Sequence, residues 1–266
     1  MSELSKRVLF GVPAAAFVLV ITWFGGMPFE ILMALLAGFT LWEVHRIVTS
    51  ANSPDFFPLS ILLGFTFWIF PVLPESIVLA VSSVLLLVTV WAIIDKNSEA
   101  SGRWLSTLFT GIYAPFGFFM IVQIRNLGLE LDGFWLTLTL FLMIWGNDVF
   151  AYFGGKTFGK RPLAPKISPK KTIEGFLFGF LGAAAGYLIV YFLADPFPLT
   201  IWHLPAAVIL ISIFGPLGDI AASKLKRLAD VKDSSALLPG HGGLFDRFDS
   251  MILSAPFIFF YFYFLL

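Results

Sequence analysis

The chain has no cysteine and little charge. Of its 266 residues, 13% are Asp, Glu, Lys or Arg, against about 25% in an ordinary soluble domain. The missing cysteines exclude disulfides, thiolate zinc sites and cysteine nucleophiles. The chain is instead 58% hydrophobic and 17% aromatic, with 32 Phe and 8 Trp. This composition is typical of an integral membrane protein.

Nine apolar stretches approach the length of about 20 residues that a membrane-spanning helix needs. They cover residues 8–24, 28–45, 57–73, 77–94, 104–123, 134–153, 176–193, 202–220 and 250–266. We therefore expect an all-α fold, a polytopic integral membrane helix bundle with about nine transmembrane helices. Four acidic residues near the ends of spans are interpreted as interfacial: Glu30, Glu43, Glu75 and Asp195.

Basic residues sort to one side of this predicted bundle. With nine spans, the N-terminus and the 2–3, 4–5, 6–7 and 8–9 loops share one side and hold every Lys and Arg except Arg125. The positive-inside rule places that side in the cytoplasm. We therefore predict a multi-pass protein of the inner (cytoplasmic) membrane, with a cytoplasmic N-terminus and an outside C-terminus. Residues 1–133 would form helices 1–5, and residues 134–266 would form helices 6–9 with cytoplasmic loops 154–175 and 221–249.

Charge concentrates near the C-terminus. Residues 218–249 hold five of the 17 basic and five of the 17 acidic residues. Hydrocarbon tolerates such charge badly, so this stretch needs a cavity, a ligand or water around it. Carboxylates can hold a metal cation, Lys and Arg can hold phosphate oxygens, and glycines let backbone N–H groups approach an anion. The stretch therefore predicts a site for a metal-bound polyphosphate.

Two patterns make up this stretch. The Gly-Pro-Leu-Gly segment 215–218 predicts a kinked or broken helix lining a cavity. After it, a 4-3-4 spacing puts four polar side chains on one helical face: Asp219, Ser223, Lys226 and Asp230. An amphipathic interfacial helix with snorkelling Lys and Arg side chains is the alternative.

The second pattern is Pro-Gly-His-Gly-Gly-Leu-Phe-Asp-Arg-Phe-Asp at residues 239–249. Asp246 and Asp249 are three residues apart and can face one cation if a helix starts there. Arg247 would point elsewhere on that helix, toward a phosphate or a structural acid. His241 could be a general base, a phosphate donor or a hydrogen-bonding residue of the loop, and we favour the phosphate contact. The alternative is a Gly-rich loop capped by Asp before span nine.

The 6–7 loop holds a further charged group. Asp148 lies inside span six and should face the bundle interior, because an unpaired carboxylate in hydrocarbon is costly. Tyr152 and Lys156 follow at helical spacing on the same face. Ser168 is predicted to cap a helix with Pro in its first turn, and three neighbours would complete an anion site: Lys170, Lys171 and Thr172. A plain positive-inside loop contacting lipid headgroups is the alternative.

These residues together resemble the phosphatidate cytidylyltransferases, also called CDP-diacylglycerol synthases, of the bacterial type. The first matching pattern is Ser-x-x-Lys-Arg, Lys-Asp, Pro-Gly-His-Gly-Gly and Asp-Arg-hydrophobic-Asp. Here it comprises Ser223, Lys226, Arg227, Lys232, Asp233, residues 239–243 and residues 246–249. The second matching pattern comprises Asp148, Ala151, Tyr152, Gly155, Lys156 and residues 168–175. The motifs span about residues 146–250, whereas the first 140 residues match only as hydrophobic spans.

The resemblance implies that the protein transfers a cytidylyl group from CTP to phosphatidic acid, giving CDP-diacylglycerol and pyrophosphate for phospholipid biosynthesis. It suggests a paired-cation centre with Mg²⁺ and a second cation of open identity. As hypotheses, the metal ligands are Asp219, Asp246 and Asp249, and these act in catalysis together with Lys226. The assigned substrate-binding residues are Asp148, Ser168, Lys170, Lys171, Thr172, Ser223, Arg227, Lys232, His241, Gly242, Gly243 and Arg247.

Partners follow from the same resemblance. We expect CTP, phosphatidic acid and membrane lipid as partners, and no nucleic acid. A homodimer is an open option. One alternative function is a CTP-dependent lipid kinase of the polyprenol or phytol type, in which the γ-phosphoryl group moves. Another is an ion-coupled transporter, although that predicts polar residues along several spans rather than at one face.

Overall fold

The computed structural model describes residues 3–69, 72–94, 98–129, 131–238 and 242–266. Helices dominate this part of the chain. In chain order they are α1 (Glu3–Phe24), α2 (Gly26–Ser50), α3 (Phe57–Ile69), α4 (Glu75–Ile94), α5 (Ser98–Arg125), α6 (Asp132–Phe158), α7 (Ile173–Leu193), α8 (Leu204–Leu228) and α9 (Phe245–Tyr263). Each predicted span overlaps one of these helices, so the predicted helical bundle is confirmed.

Five of the described helices are long and apolar enough to cross a membrane: α2, α5, α6, α7 and α8. Shorter apolar stretches lie within α1, α3 and α4. The first turns of α9 carry the charged residues Asp246, Arg247 and Asp249. The chain is therefore a membrane protein, and nine spans stay a prediction.

A small β-hairpin departs from the all-α prediction. Strands β1 (Pro162–Ala164) and β2 (Ser168–Thr172) pair antiparallel between α6 and α7. Glu174 fixes the hairpin to the start of α7, because its carboxylate accepts hydrogen bonds from Arg161 Nε at 3.0 Å and from the Lys160 backbone N–H at 3.0 Å. The hairpin thus holds its basic residues beside the helix ends.

Helices α6 and α7 pack closely through facing glycines. A Cβ atom at Gly182 would overlap the carbonyl oxygen of Gly146, so the two backbones touch where side chains are missing. On the adjoining side of α6, Asn147 Nδ2 donates to Ser212 Oγ of α8 at 3.1 Å, in the buried interior. These contacts align the ends of α6, α7 and α8.

The buried core joins both halves of the chain. Buried side chains of α2, α5, α6, α8 and α9 form one continuous cluster. The rings of Phe118 on α5 and Phe248 on α9 lie 5.3 Å apart between centroids. Helix α9, which carries two of the predicted metal ligands, is therefore supported by a helix from the N-terminal half.

Candidate active site

A cavity of about 820 Å³ lies where α6, α8 and α9 meet the hairpin and the start of α7. Ten charged residues line it, five of each sign: Asp148, Asp219, Asp233, Asp246, Asp249, Lys156, Lys170, Lys171, Lys226 and Arg247. Charge this concentrated needs water or a charged ligand. The cavity brings together both segments that the sequence analysis selected.

Helix α8 contributes one face to the cavity, as its spacing predicts. Ser223 Oγ donates to Asp219 Oδ1 at 3.2 Å, and Asp219 and Lys226 both line the cavity. Asp230 lies just beyond the helix end with a φ of 53°, exposed to solvent. The shared face is therefore confirmed for the three residues within the helix.

Residues 215–218 do not break the helix, and a kink there stays a prediction. Helix α8 runs without interruption from Leu204 to Leu228 with Pro216 inside it. Neighbouring helices in a membrane bundle tolerate a proline, because local adjustments satisfy the backbone groups that it frees. Pro216 itself lines the cavity, so the segment faces the predicted site although the helix is intact.

Helix α9 begins at Phe245 and directs Asp246 into the cavity. Asp246 Oδ2 accepts hydrogen bonds from the Ser234 backbone N–H at 2.8 Å and from the Gly243 N–H at 3.1 Å, and Ser234 Oγ lies 3.0 Å from it. Burial alone raises the pKa of the Asp246 carboxyl, but the hydrogen bonds from Lys226, Ser234 and Gly243 outweigh it and hold that pKa below its ordinary value. Asp246 is therefore ionised and fixed in place.

Asp249 and Arg247 complete the cavity wall on α9. Asp249 is buried, lines the cavity and interacts electrostatically with Asp219. The sequence prediction that Asp246 and Asp249 share a side is confirmed, since both line the same space. Arg247 lines this cavity too, rather than pointing elsewhere on the helix, and its exposed guanidinium acts electrostatically on Asp148.

Two lysines neutralise two of these carboxylates. Lys171 Nζ forms an ion pair with Asp219, and Lys226 Nζ forms one with Asp246. The side chains of the second pair are 10% and 6% exposed, whereas those of the first are 26% and 33% exposed. The Lys226 pair is therefore largely withdrawn from water, and the Lys171 pair is open to exchange with solvent.

The α6 face agrees with its helical spacing. Asp148, Tyr152 and Lys156 all line the cavity, and Lys156 Nζ lies 6.0 Å from the centre of the Tyr152 ring. Asp148 is exposed to the cavity. The prediction that its carboxylate faces a polar interior space rather than lipid is confirmed.

Ser168 does not cap a helix, so the predicted helix start at this residue is wrong. Residues 168–172 form β2, and α7 begins at Ile173 with Thr172 as its N-cap. Thr172 Oγ1 accepts a hydrogen bond from the Gly175 N–H at 3.1 Å. Pairing with β1 keeps Ser168 extended, so the helix starts later than the Ser-Pro pattern indicates. Lys170, Lys171 and Thr172 nevertheless line the cavity.

Six predicted substrate-binding residues do not belong to the cavity lining within the described part of the chain: Ser168, Ser223, Arg227, Lys232, Gly242 and Gly243. Arg227 instead donates from Nη1 to the Val231 carbonyl at 3.0 Å. Gly242 lies next to the Asp246 carboxylate, and Gly243 donates its backbone N–H to that carboxylate. His241 lies outside the described residues, so its predicted phosphate contact stays a prediction.

Sequence reasoning missed the buried contacts of Glu43. Its side chain is fully buried under the loop between α8 and α9, and its predicted position at the membrane interface stays a prediction. It accepts hydrogen bonds from Ser234 Oγ at 3.0 Å, Ser235 Oγ at 2.5 Å, the Leu244 N–H at 3.1 Å and the Phe245 N–H at 2.6 Å. The sequence signal for this burial is weak. Glu43 shares a helix face with Thr40 and Ile47, which are also buried, and an acid on such a face needs partners inside the protein.

The donor set suits a hard cation. The cavity presents carboxylate oxygens from α6, α8 and α9, which are the ligands that Mg²⁺ prefers. Among the described residues, no three Asp, Glu or His side chains lie close enough to form a complete cage for a metal. Mg²⁺ does not require such a cage, since it usually binds one or two carboxylates together with waters and substrate phosphates.

The fold and the cavity together define a polytopic helical membrane protein with a mixed-charge site at one end of the bundle. The chain belongs to the cytidylyltransferase family, whose sequence profile matches residues 5–265. It is 35% identical over 275 residues to the phosphatidate cytidylyltransferase of Bacillus subtilis (strain 168), a match that covers 98% of each chain. It is also 35% identical over 258 residues to the phosphatidate cytidylyltransferase of Staphylococcus haemolyticus (strain JCSC1435), covering 94% of this chain and 95% of the relative.

Proposed function

We propose that this protein transfers a cytidylyl group from CTP to phosphatidic acid and releases pyrophosphate. Its relatives named for this activity match almost the whole chain, not the charged segments alone. The observation that carries the proposal is the cavity in which five acidic and five basic residues from both motif segments converge. Such a lining suits two polyanions that must approach each other.

The chemistry requires little beyond charge neutralisation and positioning. A phosphate oxygen of phosphatidic acid attacks the α-phosphorus of CTP, a new P–O bond forms, and the bond to the β-phosphate oxygen breaks. The attacking phosphomonoester is largely ionised near neutral pH, because its second pKa is about 6. The reaction therefore needs neither a strong general base nor a covalent intermediate on the protein. Fixed cationic groups stabilise the charge on transferring and leaving oxygens.

Within this proposal the basic side chains hold phosphate oxygens. We assign Lys226 and Arg247 to the triphosphate of CTP, and their position in the cavity lining supports this assignment. Lys170, Lys171 and Thr172 of the hairpin also line the cavity and suit the phosphatidate headgroup or part of the nucleotide. Arg227, Lys232 and His241 stay proposed contacts for phosphate or pyrophosphate at the edge of the site.

Mg²⁺ is the proposed cofactor, with Asp219, Asp246 and Asp249 as the residues that would hold it. When bound, it supplies positive charge that screens the phosphates from each other. Asp246 and Asp219 already have Lys226 and Lys171 as cationic partners, so these carboxylates are suited to a positive group.

The proposed setting is the inner membrane, with the cavity and the N-terminus on the cytoplasmic side and the C-terminus outside. The sorting of basic residues supports this orientation. CTP would enter from the cytoplasm, and the acyl chains of phosphatidic acid would enter sideways between spans. Phe176 and Pro216 in the lining give the cavity an apolar part that suits such a substrate.

A labelled-CTP assay tests this function. Purified protein is supplied with phosphatidic acid, Mg²⁺ and CTP labelled either at the α- or at the γ-phosphorus. Cytidylyl transfer puts the α-label into lipid and the γ-label into pyrophosphate. A γ-label in lipid would instead identify a lipid kinase, and ion flux in liposomes without product would identify a transporter.

A further inference from the structure

We propose that Glu43 is a positioning residue for the reaction, and this inference rests on the proposed function. Glu43 lies on α2, outside both motif segments, yet its buried carboxylate meets the loop that leads into α9. Through that loop it holds Asp246 in the orientation that faces Lys226 and the cavity. Glu43 therefore acts on the substrates through other groups and does not touch them.

The hydrogen bonds divide evenly between the two carboxylate oxygens. Oε1 accepts from Ser235 Oγ and the Leu244 N–H, and Oε2 accepts from Ser234 Oγ and the Phe245 N–H. Two of the donors are backbone groups at the start of α9, where N–H groups have no partner inside the helix. The negative charge also lies at the positive end of that helix. Glu43 thus sets where α9 begins.

Ser234 connects this anchor to the cavity. Its hydroxyl lies 3.0 Å from Glu43 Oε2 and 3.0 Å from Asp246 Oδ2, and its backbone N–H donates to Asp246 at 2.8 Å. Asp246 in turn pairs with Lys226. A displacement of the loop at Ser234 therefore moves a carboxylate and a lysine that both line the cavity.

The loop backbone passes directly over the Glu43 carboxylate. A Cβ atom at residue 243 would overlap both Ser234 Oγ and Glu43 Oε1, so only glycine allows this approach. The Gly243 N–H donates to Asp246 at 3.1 Å. In the described part of the chain, no Lys, Arg or His forms an ion pair with Glu43. Its charge is therefore satisfied by the loop and helix start alone.

The decisive variant is Glu43→Gln, with Glu43→Asp as the conservative rescue. Glutamine keeps the size but replaces one acceptor oxygen with an NH₂ group, which cannot accept from a backbone N–H. We expect kcat/KM for CTP to fall about 10- to 100-fold, as for loss of hydrogen bonds to a charged group. The KM for phosphatidic acid should not change, and Glu43→Asp should recover part of the activity. Glu30→Gln, on the same helix, is the matched control and should behave as wild type.

Hydrogen exchange of peptides that cover residues 242–248 gives a readout independent of activity. In Glu43→Gln these amides should exchange faster, while those of α6 and α7 keep their protection. Wild-type kcat/KM together with wild-type exchange in Glu43→Gln would overturn the proposal. So would faster exchange through all helices with both KM values unchanged, because that result indicates a general role in folding.

Ser234→Ala tests the same connection if Glu43→Gln does not fold. This variant removes the hydroxyl between Glu43 and Asp246 but leaves Glu43 its other donors. We expect about a tenfold loss in kcat/KM for CTP, and an unchanged value would overturn the proposal. Failure of the wild-type protein to make CDP-diacylglycerol would refute the proposed function instead, and the exchange measurement would still decide the role of Glu43 in the loop.

Discussion

Lys226 on α8 and Asp246 on α9 form a largely buried ion pair where the two helices meet the cavity. Both groups have a second proposed task, Lys226 toward the phosphates of CTP and Asp246 toward Mg²⁺. Each neutralises the other in the ion pair. The balanced lining of five acidic and five basic residues extends the same arrangement over the whole cavity. Substrate and cation together would then replace internal partners rather than meet bare charges.

Removing one partner of the Lys226–Asp246 ion pair should destabilise the fold. In Lys226→Met, Asp246 loses its cationic partner, and loss of one partner from a buried pair costs about 3–5 kcal/mol. The thermal midpoint should fall clearly in detergent solution. Arg161→Met, which breaks the more exposed pair with Glu174, is the control and should have much less effect. Adding Asp246→Asn to Lys226→Met should restore part of the lost stability, because no unpaired charge then remains. If the double variant loses as much stability as the two single variants together, the ion pair is not the cause of the loss.

Asp219→Asn should nearly abolish product formation while the protein stays folded. The amide keeps the size of the side chain but removes the charge that holds a cation. We expect activity to fall by at least about 100-fold, the upper end of what loss of a metal-supporting contact costs. Asp230→Asn is the matched control, because it makes the same change beyond the helix end, where asparagine tolerates the positive φ of 53°. Full activity in purified Asp219→Asn would remove the metal assignment.

Magnesium dependence should shift when a proposed ligand is weakened. EDTA should stop pyrophosphate release, and added Mg²⁺ should restore it. In Asp249→Asn, the Mg²⁺ concentration for half-maximal activity should rise about 10- to 100-fold. Direct titration with Mn²⁺, followed by electron paramagnetic resonance, should show the same weakening without turnover. Unchanged Mn²⁺ binding in this variant would exclude Asp249 as a ligand.

The lysines of the hairpin should differ sharply in their effect on kcat/KM. Lys171 pairs with Asp219 in the cavity, whereas Lys166 lies exposed between the two strands. Lys171→Gln should lower kcat/KM about 10- to 100-fold, because a charge-assisted contact to phosphate is lost. Lys166→Gln should keep wild-type kinetics. Equal losses in both variants would indicate a general electrostatic attraction, not a defined contact.

The glycine contact between α6 and α7 predicts a stability difference. In Gly182→Ala, the new methyl group meets the Gly146 backbone, and the helices must separate. We expect a loss of about 1–3 kcal/mol, as for overpacking of a tight interface. Gly102→Ala on α5 meets nothing within 4 Å and should be neutral or stabilise by up to about 1 kcal/mol. Thermal unfolding of both variants measures this difference in stability.

Local patterns in the sequence predicted the parts of the site that helical periodicity determines. Asp219, Ser223 and Lys226 share a face because residues three and four apart on a helix are neighbours, whatever the rest of the fold does. The same holds for Asp148 and Lys156. Ser168 was mispredicted because its extended conformation depends on pairing with residues 162–164, a contact that the Ser-Pro pattern does not encode.

Long-range contacts could not be predicted in this way. Glu43 and the Leu244 N–H are 201 positions apart in the chain, and no spacing rule links them. A single acid near the end of an apolar span is equally compatible with the membrane surface. Its burial depends on which loop folds over it, and that is decided by the packing of α2 against α5 and α9.

The crossing of α5 and α9 limits how members of this family can be recombined. A Cβ atom at Gly117 would meet the backbone of Ile252, so the two helices touch across the division between residues 133 and 134. We therefore expect that a chimaera which joins residues 1–133 of a relative to residues 134–266 of this chain needs a small residue at this crossing and an acid at position 43. The N-terminal helices therefore pack directly against the helix that carries Asp246 and Asp249, and we expect that exchanging them separately would disturb this contact.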